Sequence, residues 1–172
     1  MRNHPSAVEN KYLCPIDFFK YLLFKKCVNG CGLLIPKEIF DKGCCFNENM
    51  RFVLDWNLWL KFALDGVGAY IDSAVLVKNR VHGGQVTVKQ KELHYTESRD
   101  TVTELFEMLK DSPAEYMLQL YYFAFSTQKG NVKEIYKYLS ARKIRVNKFK
   151  AYALRFKLVV KKFLKAIYHK FR

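Results

Sequence analysis

Long apolar runs are absent from this 172-residue sequence. Its longest apolar stretch, residues 18–24, is interrupted by Lys20, whereas a membrane-spanning helix needs about 20 predominantly apolar residues. Residues 1–10 also lack the apolar block of a secretory signal. We therefore expect no transmembrane segment and a cytoplasmic location.

Paired cysteines are missing as well. The five cysteines form no Cys-x-x-Cys motif, and their odd number fits no closed disulfide framework. Cys44 and Cys45 are adjacent, where a strain-free disulfide is not expected. No histidine or carboxylate accompanies them at the spacing of a zinc site. The sequence therefore predicts free thiols in a reducing compartment.

Acidic residues are absent from residues 142–172, which contain 12 Lys and Arg side chains. The total formal charge is +14, so residues 1–141 carry +2 and are nearly neutral. An apolar fraction of 50% and an aromatic fraction of 16% exclude a disordered chain. The length allows one domain with a hydrophobic core.

The periodicity of the apolar residues predicts an α/β region followed by an all-helical C-terminal region. Asp55 lies at a natural N-cap, and Gly66 lies where the helix that follows should end. Further helices are predicted at residues 15–26, 37–41, 90–110, 114–127, 131–141 and 142–172, and strands at residues 32–35, 69–71 and 74–80. We expect three parts, residues 1–90, 91–141 and 142–172.

Asp55 allows two interpretations. As an N-cap, its side chain would satisfy a backbone N–H of the helix and contribute about 1 kcal/mol. As a general base, it would point into a cleft and take a proton from a substrate. His82 is likewise either an ordinary loop histidine or a ligand, and Arg80 is either a solvated charge or an anion-binding group.

Four short segments follow one another at compact spacing: Asn29-Gly-Cys-Gly-Leu-Leu-Ile-Pro-Lys37, Phe46-Asn-Glu48, Asp55-Trp-Asn-Leu-Trp-Leu-Lys61 and Arg80-Val-His-Gly-Gly-Gln-Val-Thr87. In this order they resemble the acceptor-side half of family 2 glycosyltransferases, which have the A-type, Rossmann-like fold. The resemblance covers roughly residues 15–90. The expected fold is thus a partial A-type domain, with helices and a few short strands.

The resemblance implies an inverting transfer of a sugar from a nucleotide-sugar donor to a hydroxyl of a glycan or lipid-linked acceptor, in the synthesis of a bacterial surface polysaccharide or glycan. Asp55 stands at the position of the catalytic base of the family. His82 matches a residue that helps to bind the divalent metal, Mn²⁺ or Mg²⁺, or the diphosphate. Arg80 and Gln85 would line the same phosphate-facing loop.

The helix after Asp55 departs from the family pattern. Leu54, Asn57 and Lys61 stand where the family usually carries a polar residue such as Glu, a second acid and an arginine, so the polar shell around the base is thinner. Trp56 and Trp59 either pack this helix or offer an apolar platform to a sugar ring.

An Asp-x-Asp motif is absent from the sequence. Members of the family begin with a βαβ half that binds the nucleotide and ends in this metal-binding motif. We therefore expect a partner chain to supply the donor-binding half. The alternative is a non-catalytic product of a truncated or split gene that acts as an interaction module at a membrane surface.

Residues 142–172 predict a basic amphipathic helix. Its apolar residues recur at spacings of three and four, and five lysines fall on the opposite arc. The apolar residues are Phe149, Tyr152, Phe156, Val160, Phe163, Ile167 and Phe171. Such a helix fits an anionic membrane surface and predicts a peripheral location at the inner face. The alternatives are a helix packed on the domain and, less favoured because the aromatics lie away from the lysines, nucleic-acid binding.

Overall fold

The structure, a computed structural model, describes residues 10–25, 28, 30–74, 77–78, 90–127 and 132–170. Two compact units are present, Met1–Thr101 and Val102–Arg172. The described residues are mostly helical with two short strands, so the fold is of mixed α and β type. The A-type domain and the three-part division stay predictions.

Among its described residues, the first unit contains two strands and three complete helices. Its elements are β1 (Lys11–Leu13), α1 (Pro15–Phe24), a 3₁₀ turn (Gly30–Gly32), α2 (Lys37–Asp41), α3 (Leu54–Leu64), β2 (Ala69–Ile71) and the first part of α4 (Lys91–Met108). The strands pair antiparallel, with Tyr12 opposite Tyr70. A Cβ added to Gly68 would lie 2.6 Å from the carbonyl oxygen of Leu13, so this close approach requires glycine.

The core of the first unit lies between α1 and α3. Pro15 occupies the start of α1, where its missing N–H costs nothing. Phe19 and Leu22 of α1, and Leu58 and Leu60 of α3, are fully buried. Gly66 has a φ of +83° and follows the end of α3, as the sequence predicts.

The second unit is entirely helical among the residues described. After the end of α4 come a 3₁₀ turn (Leu109–Asp111), α5 (Ala114–Thr127), α6 (Val132–Ala141) and α7 (Lys148–Lys170). Helix α5 packs against both α6 and α7. Leu120, Phe123, Ile135 and Leu139 form the centre of this core. The ranges of α4, α5 and α6 confirm the predicted helices to within two residues, whereas α7 begins six residues later than residue 142, where the prediction placed it.

Two predictions about strands are corrected. Residues 32–35 form no strand: Gly30–Gly32 is a 3₁₀ turn, and Leu34 is 99% exposed. A short apolar run bounded by turn residues fits a buried strand only if other strands are available to pair with it. Conversely, β1 lies in a segment for which no strand was predicted, because three residues are too few to show a period.

The predicted strand at residues 74–80 falls largely outside the described residues. Ala74, Val77 and Lys78 are described and belong to no strand. Within the described part of the chain, we find no helix that combines the length and the apolar character needed to cross a membrane.

Candidate functional site

Asp55 lies in the first turn of α3. The helix begins at Leu54 with Val53 in the N-cap position, so the prediction that Asp55 is the N-cap is wrong by two residues. The Oδ1 atom of Asp55 accepts a hydrogen bond of 2.7 Å from the N–H of Trp56. The side chain is half-buried.

A cleft of about 150 Å³ opens beside Asp55. It lies within the first unit, between α1, the segment before α3, and α4. Its lining residues are Leu22, Val28, Phe52, Val53, Asp55, Trp56, His94 and Ser98. Sites for drug-sized ligands are usually about 300–1,000 Å³, so this cleft accommodates one end of a ligand rather than a nucleotide sugar.

The hydroxyl of Ser98 is the least satisfied polar group of this cleft. Ser98 is only 4% exposed, and its Oγ atom finds no hydrogen-bond partner in the part of the chain that the structure describes. A buried hydroxyl without a partner costs about 1–3 kcal/mol. His94, half-buried one helical turn before Ser98, adds an imidazole to the same wall. The cleft thus combines a carboxylate, an imidazole and an unpartnered hydroxyl.

Glu97 fixes the backbone that leads into α3. Its carboxylate accepts hydrogen bonds from the N–H groups of Arg51, Phe52 and Val53, at 2.9, 2.7 and 3.1 Å. Burial acts to raise the pKa of Glu97, but these three donors and the nearby His94 outweigh it, so the pKa lies below its ordinary value. A buried, ionised Glu97 therefore holds the start of the helix that carries Asp55.

Three of the four segments that carry the family resemblance meet at α3. A Cβ built on Gly30 would lie 3.9 Å from Oδ2 of Asp55, so the 3₁₀ turn runs alongside the carboxylate. The ring centroids of Phe46 and Trp59 are 6.0 Å apart. The fourth segment, with Arg80, His82 and Gln85, lies outside the described residues.

The two tryptophans of α3 are both buried. Trp56 donates a hydrogen bond of 2.9 Å from Nε1 to the carbonyl oxygen of Leu22, which ties α3 to α1, and its ring also lines the cleft. Trp59 packs against Phe62, with ring centroids 5.5 Å apart. These contacts correspond to the packing role, and contact of either ring with a sugar stays a prediction.

A metal site is not formed by the residues that the structure describes. No group of three or more His, Cys, Asp and Glu side chains among them lies close enough to hold an ion. The prediction of a Mn²⁺ or Mg²⁺ ion at His82 concerns a residue outside this part of the chain.

His94, Glu97 and Ser98 were not predicted from the sequence. A signal was present: Ser98, Val102, Leu105 and Leu109 recur at spacings of four, three and four, which places Ser98 on the buried face of α4. Polar residues within such an apolar stripe are expected to have a partner or a function.

Comparison with known proteins adds an independent observation. Over part of its length the chain is similar to proteins named as glycosyltransferases. A protein of Rickettsia typhi named an uncharacterized glycosyltransferase is 39% identical over 72 residues, which are 42% of this chain and 22% of that protein. A protein of Rickettsia prowazekii with the same description is 36% identical over 72 residues, with the same coverage of both chains.

A third relative, also named an uncharacterized glycosyltransferase, comes from Rickettsia felis and is 34% identical over 67 residues, or 39% of this chain and 11% of that protein. The chain thus spans about a fifth or less of the length of these curated relatives. No family model matches the chain, and no solved structure matches it.

Proposed function

We propose that this chain contributes the acceptor side of an inverting, family 2-type glycosyltransferase. The observation that carries the proposal is the half-buried carboxylate of Asp55 at the mouth of a small polar cleft. The partial similarity to proteins named glycosyltransferases supports the same reaction class.

In this proposal Asp55 is the general base. Its carboxylate takes the proton of the acceptor hydroxyl while the hydroxyl oxygen forms a bond to the anomeric carbon of the donor sugar. The bond from that carbon to the diphosphate breaks in the same step, and the nucleoside diphosphate leaves with the electron pair. Positioned proton transfer of this kind contributes about 10²–10⁴-fold to a rate.

The cleft would receive the hydroxyl-bearing end of the acceptor. Ser98 Oγ can donate to or accept from a second hydroxyl of that acceptor, which would satisfy a group that the described residues leave unpartnered. His94 offers a further donor or acceptor on the same wall. Glu97 acts as a positioning residue, because it holds the backbone before Asp55 through three hydrogen bonds.

The donor side is proposed from the family resemblance. Arg80 and Gln85 would contact the diphosphate of a nucleotide sugar, and His82 would assist at a divalent metal or the diphosphate. A partner chain would supply the nucleotide-binding half, and the product would be a bacterial surface polysaccharide or another glycan.

The test is a transfer assay with the whole chain. Membranes from the native organism, with the gene deleted, supply acceptors and partner proteins, and radiolabelled nucleotide sugars supply the donor. We expect the purified wild-type chain to restore transfer of one sugar. Asp55→Asn should lower that transfer by about 10²–10⁴-fold without loss of the folded state, measured by circular dichroism.

Asp17→Asn is the matched control, since Asp17 is an exposed acid in the first turn of α1. It should transfer sugar at the wild-type rate. Full activity of Asp55→Asn would refute the assignment of the base. Failure of the folded wild-type chain both to restore transfer and to bind any nucleotide sugar in ligand-observed NMR, with and without Mn²⁺, would favour the non-catalytic interaction module instead.

A further inference from the structure

Helix α7 has two apolar faces, and α5 covers only one of them. Ala151 is fully buried, while Leu154, Arg155 and Leu158 are half-buried at spacings of three, one and three. These residues share one face of the helix, and α7 packs against α5. Ring contacts support this docking, because Tyr152 lies edge-on to Phe125 with centroids 4.9 Å apart.

The second apolar face is exposed. Phe149, Phe156 and Phe163 recur every seven residues, and their exposed fractions are 84, 71 and 65%. Val159, Leu164 and Ile167 extend this face and are also exposed. Contiguous apolar surface of this kind marks a site of interaction rather than ordinary solvent contact. We call these six residues the exposed apolar face.

Exposed cations border this face. Lys150 and Lys157 lie about a quarter of a helical turn from the phenylalanine line and Lys161 about two-fifths of a turn, and all three side chains are exposed. No acidic residue occurs between residues 142 and 172. A surface that is complementary to this face therefore has negative charges next to an apolar region. An anionic bilayer has both, in its headgroups and its acyl chains.

The same charges argue against a second copy of this chain as the occupant. Two copies of α7 joined through the exposed apolar face would bring two sets of lysines together with no carboxylate from the same segment between them. Like charges at such short range destabilise an interface. Anionic lipid headgroups, by contrast, attract each nearby basic residue enough to raise binding roughly fivefold.

We propose that α7 docks in the plane of an anionic membrane surface, with Phe149, Phe156 and Phe163 among the acyl chains and Lys150, Lys157 and Lys161 at the headgroups. The face that packs on α5 stays attached to the second unit, so the helix anchors the folded protein rather than detaching from it. This inference is independent of the proposed sugar transfer.

Flotation with lipid vesicles tests the docking surface. The full chain is mixed with vesicles of phosphatidylcholine alone or of phosphatidylcholine with phosphatidylglycerol. We expect binding only to the anionic vesicles. The double variant Phe156→Ser, Phe163→Ser should weaken this binding roughly tenfold or more, because it removes apolar area that enters the bilayer. Lys157→Glu with Lys161→Glu should weaken it by at least about 25-fold.

Control variants on other helices test whether vesicle binding depends on α7 in particular. Tyr95→Ser removes an aromatic side chain that is 64% exposed on α4, and Lys133→Glu with Lys137→Glu reverses two exposed charges on α6. Both should bind anionic vesicles like the wild type, and so should Asp55→Asn. All of the substituted residues are exposed or half-exposed, so the variants are expected to fold, which thermal unfolding checks.

Two outcomes would overturn the proposal. One is that the folded wild-type chain does not float with anionic vesicles, and the other is that it floats equally well after both α7 substitutions. If it fails to float and instead binds single-stranded RNA with a steep dependence on salt, the exposed basic surface serves nucleic acid.

Discussion

The two units differ in where they keep their polar groups. The buried polar side chains among the described residues are Asn57, Glu97, Ser98 and Thr101, and all four belong to the first unit. The described core of the second unit is made of aliphatic and aromatic side chains, Tyr121 and Tyr122 among them, together with Met117, Ala124 and Ala151. Buried polar groups lower stability unless they have hydrogen-bond partners, so those that remain are expected to have a structural or functional role.

Charge follows the opposite distribution. The first unit contains 14 basic and 11 acidic residues, a net +3, whereas the second contains 16 basic and 5 acidic residues, a net +11. The first unit thus has its polar chemistry inside and little net charge, and the second has an apolar interior and a strongly basic surface. This distribution is consistent with the candidate functional site in the first unit and the proposed membrane-docking surface in the second.

The largest expected effect on stability is in the second unit. Leu120→Ala removes a fully buried side chain from α5 and should lower the free energy of unfolding by about 2–5 kcal/mol. Leu164→Ala makes the same chemical change at an exposed position of α7 and should change it by less than about 0.5 kcal/mol. Urea unfolding measures both, and equal effects would contradict the apolar core described for this unit.

A smaller effect, with a pH dependence, is expected in the first unit. Glu97→Gln leaves backbone donors of residues 51–53 without a charged acceptor and should cost about 1.5–3 kcal/mol at pH 7. Because the folded pKa of Glu97 lies below its ordinary value of 4.5, the carboxylate stabilises the fold fully above that value. This stabilisation is lost as the pH falls through the folded pKa.

Amide hydrogen exchange at residues 51–53 measures this acid-dependent loss of the stabilisation by Glu97. Wild-type protection should fall below pH 4.5, while the Glu97→Gln variant should start lower and lack that acid-dependent step. Glu92→Gln, an exposed change on the same helix, should behave like the wild type. An acid step of the same size in the Glu97→Gln variant would show that another carboxylate is responsible.

The smallest expected effect concerns thiol chemistry and leaves stability unchanged. Burial and a hydrogen bond to Asp65 raise the pKa of Cys44 from 9.0 to about 11. The thiolate fraction near neutral pH is then about 100-fold lower than for a thiol of pKa 9.0. Iodoacetamide should therefore alkylate exposed Cys45 well before Cys44 in the wild type. Asp65→Asn should bring the alkylation rate of Cys44 closer to that of Cys45. Equal alkylation rates of the two thiols in the wild type would contradict the hydrogen bond.

Local elements of the fold were predictable from the sequence. Helix α1 follows from Pro15 and its apolar spacing, and α5 ends where Lys129-Gly130 predicts a break. The wrong predictions concern segments whose structure depends on pairing with another segment of the chain. Residues 32–35 look like a strand in isolation, and β1 forms only because β2 is available to pair with it.

The candidate site was predictable only in part. The position of Asp55 near the start of α3 was predicted to within two residues, whereas the approach of the Gly30 turn to its carboxylate was not predicted. His94, Glu97 and Ser98 were not predicted, because the face of α4 that is buried depends on how the helix packs in the tertiary structure.

The sequence by itself determined the helices, the segregation of charge into residues 142–172 and the carboxylate at the start of α3. Helices depend on hydrogen bonds between residues four apart, and charge is a property of composition, so both can be predicted locally. Only the tertiary structure decided that Glu97 reaches residues 51–53, at least 44 positions away, and which face of α7 is covered by α5. Such contacts depend on how complete helices pack, which no short stretch of sequence specifies.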